Sequence, residues 1–300
     1  MNEHRFDGRV AVVTGAGRGI GRAHALLLAE RGAFVVVNDL GGSMEGEGAD
    51  AGPAGAVADE IVVVGGRAVA DSNDVATTAG AEALIGTAVE HFGRLDVLVN
   101  NAGIMRWAGL PELDADDLER HLAVHVGGSF NTARAAWPHF IDQGYGRIVM
   151  TTSAGVFGLP KNLAYATAKG GVIGMTRSLS LAGARHGIKV NLIAPAATTR
   201  MAGAPSDGVP DMPPEQVAPM VAFLAHEDCP VTGEIYAAGA RRFARIFIAT
   251  TEGYVHPDGD PTVEDVAGNW AKINDESGYS VPTGLMDWSA GFTKHLAAEA

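Results

Sequence analysis

Short apolar runs alternate with longer, helically spaced segments from residue 9 to residue 196. The run "RVAVVTG" (9–15) has the continuous apolar character of a strand buried on both faces of a sheet. "IGRAHALLLAERG" (20–32) follows with helical spacing and a glycine stop, and "AFVVVND" (33–39) is the next buried run. Strand, helix and strand within about 30 residues predict a βαβ crossover. The pattern then repeats. "AVADEIVVVGG" (56–66) reads as a helix before the short strand "RAVAD" (67–71), and "AEALIGTAVEHFG" (81–93) as a helix before "LDVLVNNAG" (95–103). Residues 114–141 read as one long helix opened by acidic residues, "GRIVMTT" (146–152) as a strand, 164–187 as a second long helix and "IKVNLIAPA" (188–196) as a strand.

This alternation predicts an α/β fold, a doubly wound parallel sheet of Rossmann type. No linker or repeat divides the chain, so a single domain is expected over 1–300, with a core at about 7–240 and a C-terminal extension over 241–300. Residues 40–55, "LGGSMEGEGADAGPAG", read as a glycine-rich acidic loop after the second strand. Past residue 204, "PPEQVAPMVAFLAHE" (213–227) predicts a helix with proline in its first turn, "VTGEIYAAG" (231–239) a last strand and "TVEDVAGNWAKI" (262–273) one helix of the extension.

Net charge narrows the partners. At −13 the chain repels phosphate backbones, which argues against nucleic acid. One cysteine, Cys229, excludes an internal disulfide framework and fits a reducing compartment. "MNEHRFDGRV" has no apolar signal core, and no apolar stretch approaches the length of a membrane span. The expectation is a soluble cytoplasmic protein that binds a small molecule, with no metal.

"TGAGRGIG" (14–21) stands directly after the first strand and opens the first helix. Glycines there let the backbone approach a pyrophosphate, and the helix start offers unpaired N–H groups. The spacing is TGxxxGxG, with Gly15, Gly19 and Gly21; Ile20 occupies the place of the third glycine in GxGxxG. Asp39, 18 residues past Gly21, can accept bonds from ribose hydroxyls and repels a 2′-phosphate, which favours NAD over NADP. Arg18 pulls the other way. Asp74 and Val75 follow the third strand; Asp74 either bonds an adenine amino group or caps the next helix. Asn101, Ala102 and Gly103 at the end of the fourth strand border the cofactor position expected in such sheets.

The fifth strand ends in Thr151, Thr152 and Ser153, and Tyr165 and Lys169 follow at a spacing that puts them on one helix face. A free phenol titrates at about 10, and a neighbouring ammonium favours its phenolate. A tyrosine so placed, with a hydroxyl from the strand end, makes a proton-transfer site for interconverting a carbinol and a carbonyl.

TGxxxGxG, Asp39, "NNAG", the hydroxyl strand end and YxxxK occur in order, and over about residues 7–240 this set resembles the short-chain dehydrogenases/reductases. The resemblance implies strand order 3-2-1-4-5-6-7, nicotinamide-dependent hydride transfer and a Ser–Tyr–Lys set. Tyr165 would be the general acid/base, and Lys169 would lower its pKa and hold the nicotinamide ribose. The opening 38 residues from Arg5, "ARAAWPHF", "NLIAPAATTRM" and the tail resemble one branch of the family, the (3R)-hydroxyacyl-CoA dehydrogenase domains of multifunctional β-oxidation enzymes. The family serine stands 13 residues before the tyrosine. Here that position is Thr152 and Ser153 stands 12 before, so Ser153 is expected as the hydroxyl, with Thr152 as its alternative. His125 occupies the slot of an asparagine that completes a proton relay, and is either a relay or a core histidine. "PG" after the sixth strand is Pro195–Ala196, and Thr199 is the candidate carboxamide contact.

The expected activity is hydride transfer between NAD and a secondary alcohol, with a 3-hydroxyacyl-CoA thioester as leading substrate. A steroid or other bulky alcohol is the alternative within the class, and a non-catalytic NAD-binding module the alternative outside it. Substrate contacts are expected in the loop after the sixth strand and in the tail, and "GARRFAR" (239–245) as a basic patch for CoA phosphates. The small residues of the two long helices, with the resemblance, imply a homo-dimer or homo-tetramer.

Overall fold

The five residues Val10–Thr14 form strand β1, and every one is buried. The structure is a computed structural model and describes residues 3–199 and 212–297. β1 pairs in parallel with β2 (Phe34–Asn38) on one side and β4 (Val97–Asn100) on the other. β3 (Arg67–Asp71), β5 (Gly146–Thr151), β6 (Ile188–Ala196), β7 (Ile235–Gly239) and β8 (Arg242–Ile246) complete one sheet in the order β3-β2-β1-β4-β5-β6-β7-β8. The first seven strands stand as the sequence predicts; β1, β4 and β5 are buried on both faces and leave near-continuous apolar runs, whereas β3 is a largely exposed edge strand.

The eighth strand corrects the reading of "GARRFAR". Ala240 and Arg241 lie in the left-handed region, with φ of 49° and 60°, and form a two-residue turn between β7 and β8. The Arg241 amide donates to Gln216 Oε1 (2.9 Å), and Arg245 Nε is ion-paired with Glu234 Oε2 (2.7 Å). That segment is a turn and a strand in which Arg245 is held by a carboxylate while Arg241 and Arg242 are exposed.

Helices α1 (Gly19–Glu30), α2 (Gly52–Val63) and α7 (Ala218–Ala225) cover one apolar layer, in which Leu28, Ile61, Val221 and Leu224 pack with Ala11, Val13, Val35 and Val37 of the strands. Each such side chain contributes about 1.5–3 kcal/mol on full burial. α3 (Thr78–Phe92) opens with the Thr77 hydroxyl accepting from the Gly80 amide (3.0 Å) and closes on Gly93 at φ 78°. At the amino end of β4 the buried Asp96 carboxylate is matched by Arg9 (2.9 Å), Arg94 (2.6 Å) and the Val10 amide (2.9 Å).

Two expectations need correction. The stretch 114–141 is not one regular helix: α4 (Ala115–His121) runs into a π turn, Leu122–Gly127, and then α5 (Gly128–Gln143). The wide turn is held from outside, since His125 Nε2 meets the Ile104 carbonyl (2.9 Å) and His121 Nε2 accepts from the Arg106 amide (3.3 Å). The loop after β2 is also shorter than expected, because Pro53 lies in the first turn of α2. It folds on itself through Ser43 N to Glu47 O (2.7 Å) and reaches across to Met105, whose amide donates to Met44 O (2.9 Å).

The long helix α6 (Leu163–Gly183) packs against β6 and the π turn. The chain forms two compact units, Met1–Arg245 and Ile246–Ala300, which gives the first unit residues 241–245 of the expected extension. In the second unit, 262–273 is two helices, α8 (Val263–Gly268) and α9 (Trp270–Ile273), interrupted at Asn269. Thr262 and Asp265 make a capping box at the start of α8. A further helix, α10 (Leu285–Phe292), stacks Trp288 on Phe292.

Candidate active site

Parallel strands bring their carboxyl ends to one edge of the sheet, and a cleft of about 420 Å³ opens there. Gly15 and Gly19 turn through left-handed backbone, at φ 62° and 53°. A side chain on Gly15 would press to 2.8 Å on Ala102 Cα, and one on Gly21 would collide with the Gly15 carbonyl oxygen. α1 starts without a side-chain cap and without an acidic residue in its first turn. Arg18, Gly19, Ile20 and Gly21 line the cleft, so the unpaired amides and partial positive charge of the helix start lie at its wall. Asp39 lines it as well, its carboxylate oxygens accepting from the Gly17 (2.8 Å) and Gly41 (2.7 Å) amides. The Thr14 hydroxyl fixes the facing strand end by accepting from the Asn101 and Ala102 amides, both at 3.0 Å.

Asp74, Val75, Asn101, Ala102, Gly103 and Thr199 line the same cleft. Asp74 accepts from the Ala76 amide (2.9 Å), three residues past the end of β3; the cap of α3 is Thr77, which removes the capping alternative for Asp74. Pro195 sits within β6 opposite Ala238 and is not among the lining residues, a departure from its expected role. Glycine backbone, helix-start amides and a ribose-height carboxylate along one cleft fit a dinucleotide.

At the end of β5 the hydroxyls separate. Thr152 is 1% exposed and its Oγ1 donates to the Lys169 carbonyl (3.0 Å), so the threonine alternative is turned away. Ser153 Oγ accepts from the Gly155 amide (3.0 Å) and hydrogen-bonds the Tyr165 side chain. Lys169 Nζ donates to the Thr151 carbonyl (2.7 Å) and lies 5.5 Å from the Tyr165 ring centroid. Burial holds the Lys169 ammonium down to about 7 and pushes the Tyr165 phenol up, opposed only by the Ser153 bond. The expected lowering of the phenol by Lys169 is therefore not a property of these residues alone: both groups are desolvated, and the ammonium is engaged with backbone.

His125 is buried, with its ring edge-on to Tyr165 at 5.2 Å and stacked near His121 at 6.1 Å. Nε2 is occupied by Ile104, whereas Nδ1 is buried without a partner. Burial, with the Lys169 charge second, holds its pKa well below the ordinary value. It is thus held neutral, with Nε2 between the Ile104 carbonyl and amide and Nδ1 unpartnered.

Residues 9–207 match the family model described as short chain dehydrogenase. The mouse peroxisomal multifunctional enzyme type 2 is 43% identical over 297 residues, covering 97% of this chain and 40% of that protein. The chain belongs to the short-chain dehydrogenase family. It spans under half the length of that mouse relative. The full-length peroxisomal multifunctional enzyme type 2 from Drosophila melanogaster superposes with a TM-score of 0.79 at 34% identity, over 98% of this chain and 50% of that one. A 7α-hydroxysteroid dehydrogenase solved with NADH and 7-oxo glycochenodeoxycholic acid gives 0.70 at 28% identity, over 78% and 93%.

As a short-chain dehydrogenase the chain is an oxidoreductase of CH–OH groups that uses a nicotinamide cofactor. No helix among the described residues is long and apolar enough to cross a membrane. Sequence reasoning missed Leu40, Ser43, Gly46, Asn73, Ile104 and Val124, which also line the cleft. Ser43 and Gly46 arrive by the folding back of their loop, which leaves no local signal; Val124 arrives on the π turn. The loop after β6 expected to contact substrate lies largely at 200–211, outside the described residues.

Proposed function

We propose that this short-chain dehydrogenase interconverts 3-hydroxyacyl-CoA and 3-ketoacyl-CoA thioesters with NAD. The observation that carries the catalytic assignment is the Tyr165 hydroxyl, bonded by Ser153 and one helical turn from the buried Lys169. The nicotinamide, when bound, supplies the hydride acceptor or donor. Ser153 orients the substrate oxygen toward Tyr165, which takes or returns the proton on that oxygen. Lys169, whose ammonium burial brings down to about 7, favours by its positive charge the phenolate left when that proton leaves Tyr165. Asp39 supports NAD, because a carboxylate anchored by two amides has no room for a 2′-phosphate and repels its charge. Gly15, Gly19, Gly21, Asn101, Ala102 and Gly103 hold the dinucleotide by backbone. The thioester is supported by likeness to the mouse multifunctional enzyme over nearly the whole chain.

A second reading, oxidation of a steroid or other bulky alcohol, is favoured by the likeness to the 7α-hydroxysteroid dehydrogenase. The first unit carries the chemistry, and exposed apolar residues on the long helices, Phe130 of α5 with Leu163 and Leu181 of α6, suit a homo-dimer or homo-tetramer. A buried thiol at Cys229 suits the reducing cytoplasm expected from the sequence, while the mouse and fly relatives are named peroxisomal. The test is NADH formation by wild type and Tyr165→Phe on 3-hydroxyacyl-CoA and hydroxysteroid substrates, with an NAD and NADP binding titration. Turnover of the thioester by wild type alone, with NAD preferred, is the expected result. Steroid turnover without thioester turnover moves the chain to the second reading, and preference for NADP overturns the role of Asp39.

A further inference from the structure

At the amino ends of the strands, opposite the cleft, His4 meets two side chains more than 200 residues further along the chain. His4 precedes β1, and His226 and Asp228 follow α7. His226 is 6% exposed, its ring set edge-on to Phe6 at 5.2 Å and to His4 at 4.8 Å. Its tautomer is fixed by two neighbours. Nε2 faces the Arg5 carbonyl at 3.0 Å and must donate, whereas Nδ1 accepts from the Asp228 amide at 3.1 Å. Nδ1 also stands 3.4 Å from Asp228 Oδ2, and a cation bound there would take its lone pair in place of the Asp228 amide. His4 Nδ1 lies 3.3 Å from the same oxygen. Two imidazole nitrogens thus converge on one carboxylate oxygen.

We propose that His4, His226 and Asp228 form a divalent zinc site. Zn²⁺ binds imidazole nitrogen and carboxylate oxygen at about 2.0–2.2 Å in a tetrahedron, whose ligand atoms are then about 3.3–3.5 Å apart. Two edges of the three-ligand face already have that length, and the three donor atoms lie within 4.8 Å of one another. His4 is half exposed at its side chain and closes the remaining edge by a small turn of its ring. The bond from His226 Nε2 to a backbone carbonyl is the outer-shell support that metal-bound imidazoles carry. Water completes the fourth position. Two imidazoles with one carboxylate suit zinc better than the all-oxygen cations calcium and magnesium. The site ties the segment before β1 to the end of α7, near the Arg9–Glu227 ion pair (2.8 Å), and its role is to staple rather than to catalyse.

The test uses the untagged, metal-stripped full chain. Zn²⁺ is titrated by calorimetry into wild type, His4→Ala and Asp228→Asn, and thermal unfolding is followed with and without zinc. Wild type should bind one zinc per chain and melt higher with it. Each substitution should weaken binding at least about tenfold and abolish the shift, with NAD binding unchanged. Absence of zinc binding to wild type, or undiminished binding in either variant, overturns the site. These readouts are independent of the proposed substrate.

Discussion

Around β1, β2 and α1 the cleft is walled by peptide groups. Gly15, Gly19 and Gly21 present backbone, and the Asp39 carboxylate and Thr14 hydroxyl serve to brace that backbone. Around β5 and α6, outside the residues that line that cleft, the site is made of side chains withdrawn from water: Lys169 at about 7, a raised phenol at Tyr165, and a His125 nitrogen without a partner. A backbone site is fixed by geometry and cares little which side chains surround it, provided no Cβ intrudes. A buried side-chain site is fixed by solvation and responds to pH and to the loss of single atoms. One sheet edge thus joins a rigid holder to a titratable tool.

The contrast can be broken most sharply at Tyr165. Tyr165→Phe should lower turnover by about 10²–10⁴ while fluorescence titration shows cofactor affinity preserved. Ser153→Ala should cost roughly 10² in kcat. Thr152→Val, whose hydroxyl only ties the Lys169 carbonyl, should stay within about tenfold, and equal losses would mean the wrong hydroxyl has been assigned. Lys169 gives the pH signature. Its folded pKa of about 7 lies below the usual 10.5, so between those values the unfolded chain binds the extra proton. Its contribution is full above about 10.5 and is lost as pH falls through that range to about 7. Denaturant melts should show wild type gaining on Lys169→Met by at most about 2.7 kcal/mol from pH 7 to pH 9. On the holder side, Gly21→Ala should cost about 1–3 kcal/mol of overpacking, read as weaker cofactor binding with kcat at saturation little changed.

The central strands were legible because burial on both faces writes a near-unbroken apolar run, the edge strand β3 because it follows a helix and a glycine pair, and the glycine turn because its place after β1 is local. β8 was not: "RFARI" carries two arginines and follows a third, Arg241, so its charge masked a strand whose burial pattern is mostly exposed. The π turn was invisible because it changes hydrogen bonding without changing the apolar face of a helix. Tyr165, Lys169 and Ser153 could be named from spacing, yet the departure of Thr152 toward the Lys169 carbonyl is a rotamer choice that no spacing encodes. His4 and Asp228 lie more than 200 residues apart, beyond any local pattern.

The turn between β7 and β8 places Ala240 and Arg241 where glycine or asparagine is at ease. Each forgoes roughly 1–2 kcal/mol there. A typical random substitution destabilises by about 1 kcal/mol. A single change, such as Arg241→Gly, would therefore give this lineage room for one otherwise unacceptable mutation elsewhere. The awkward turn is a store of evolvability at the carboxyl edge of the sheet.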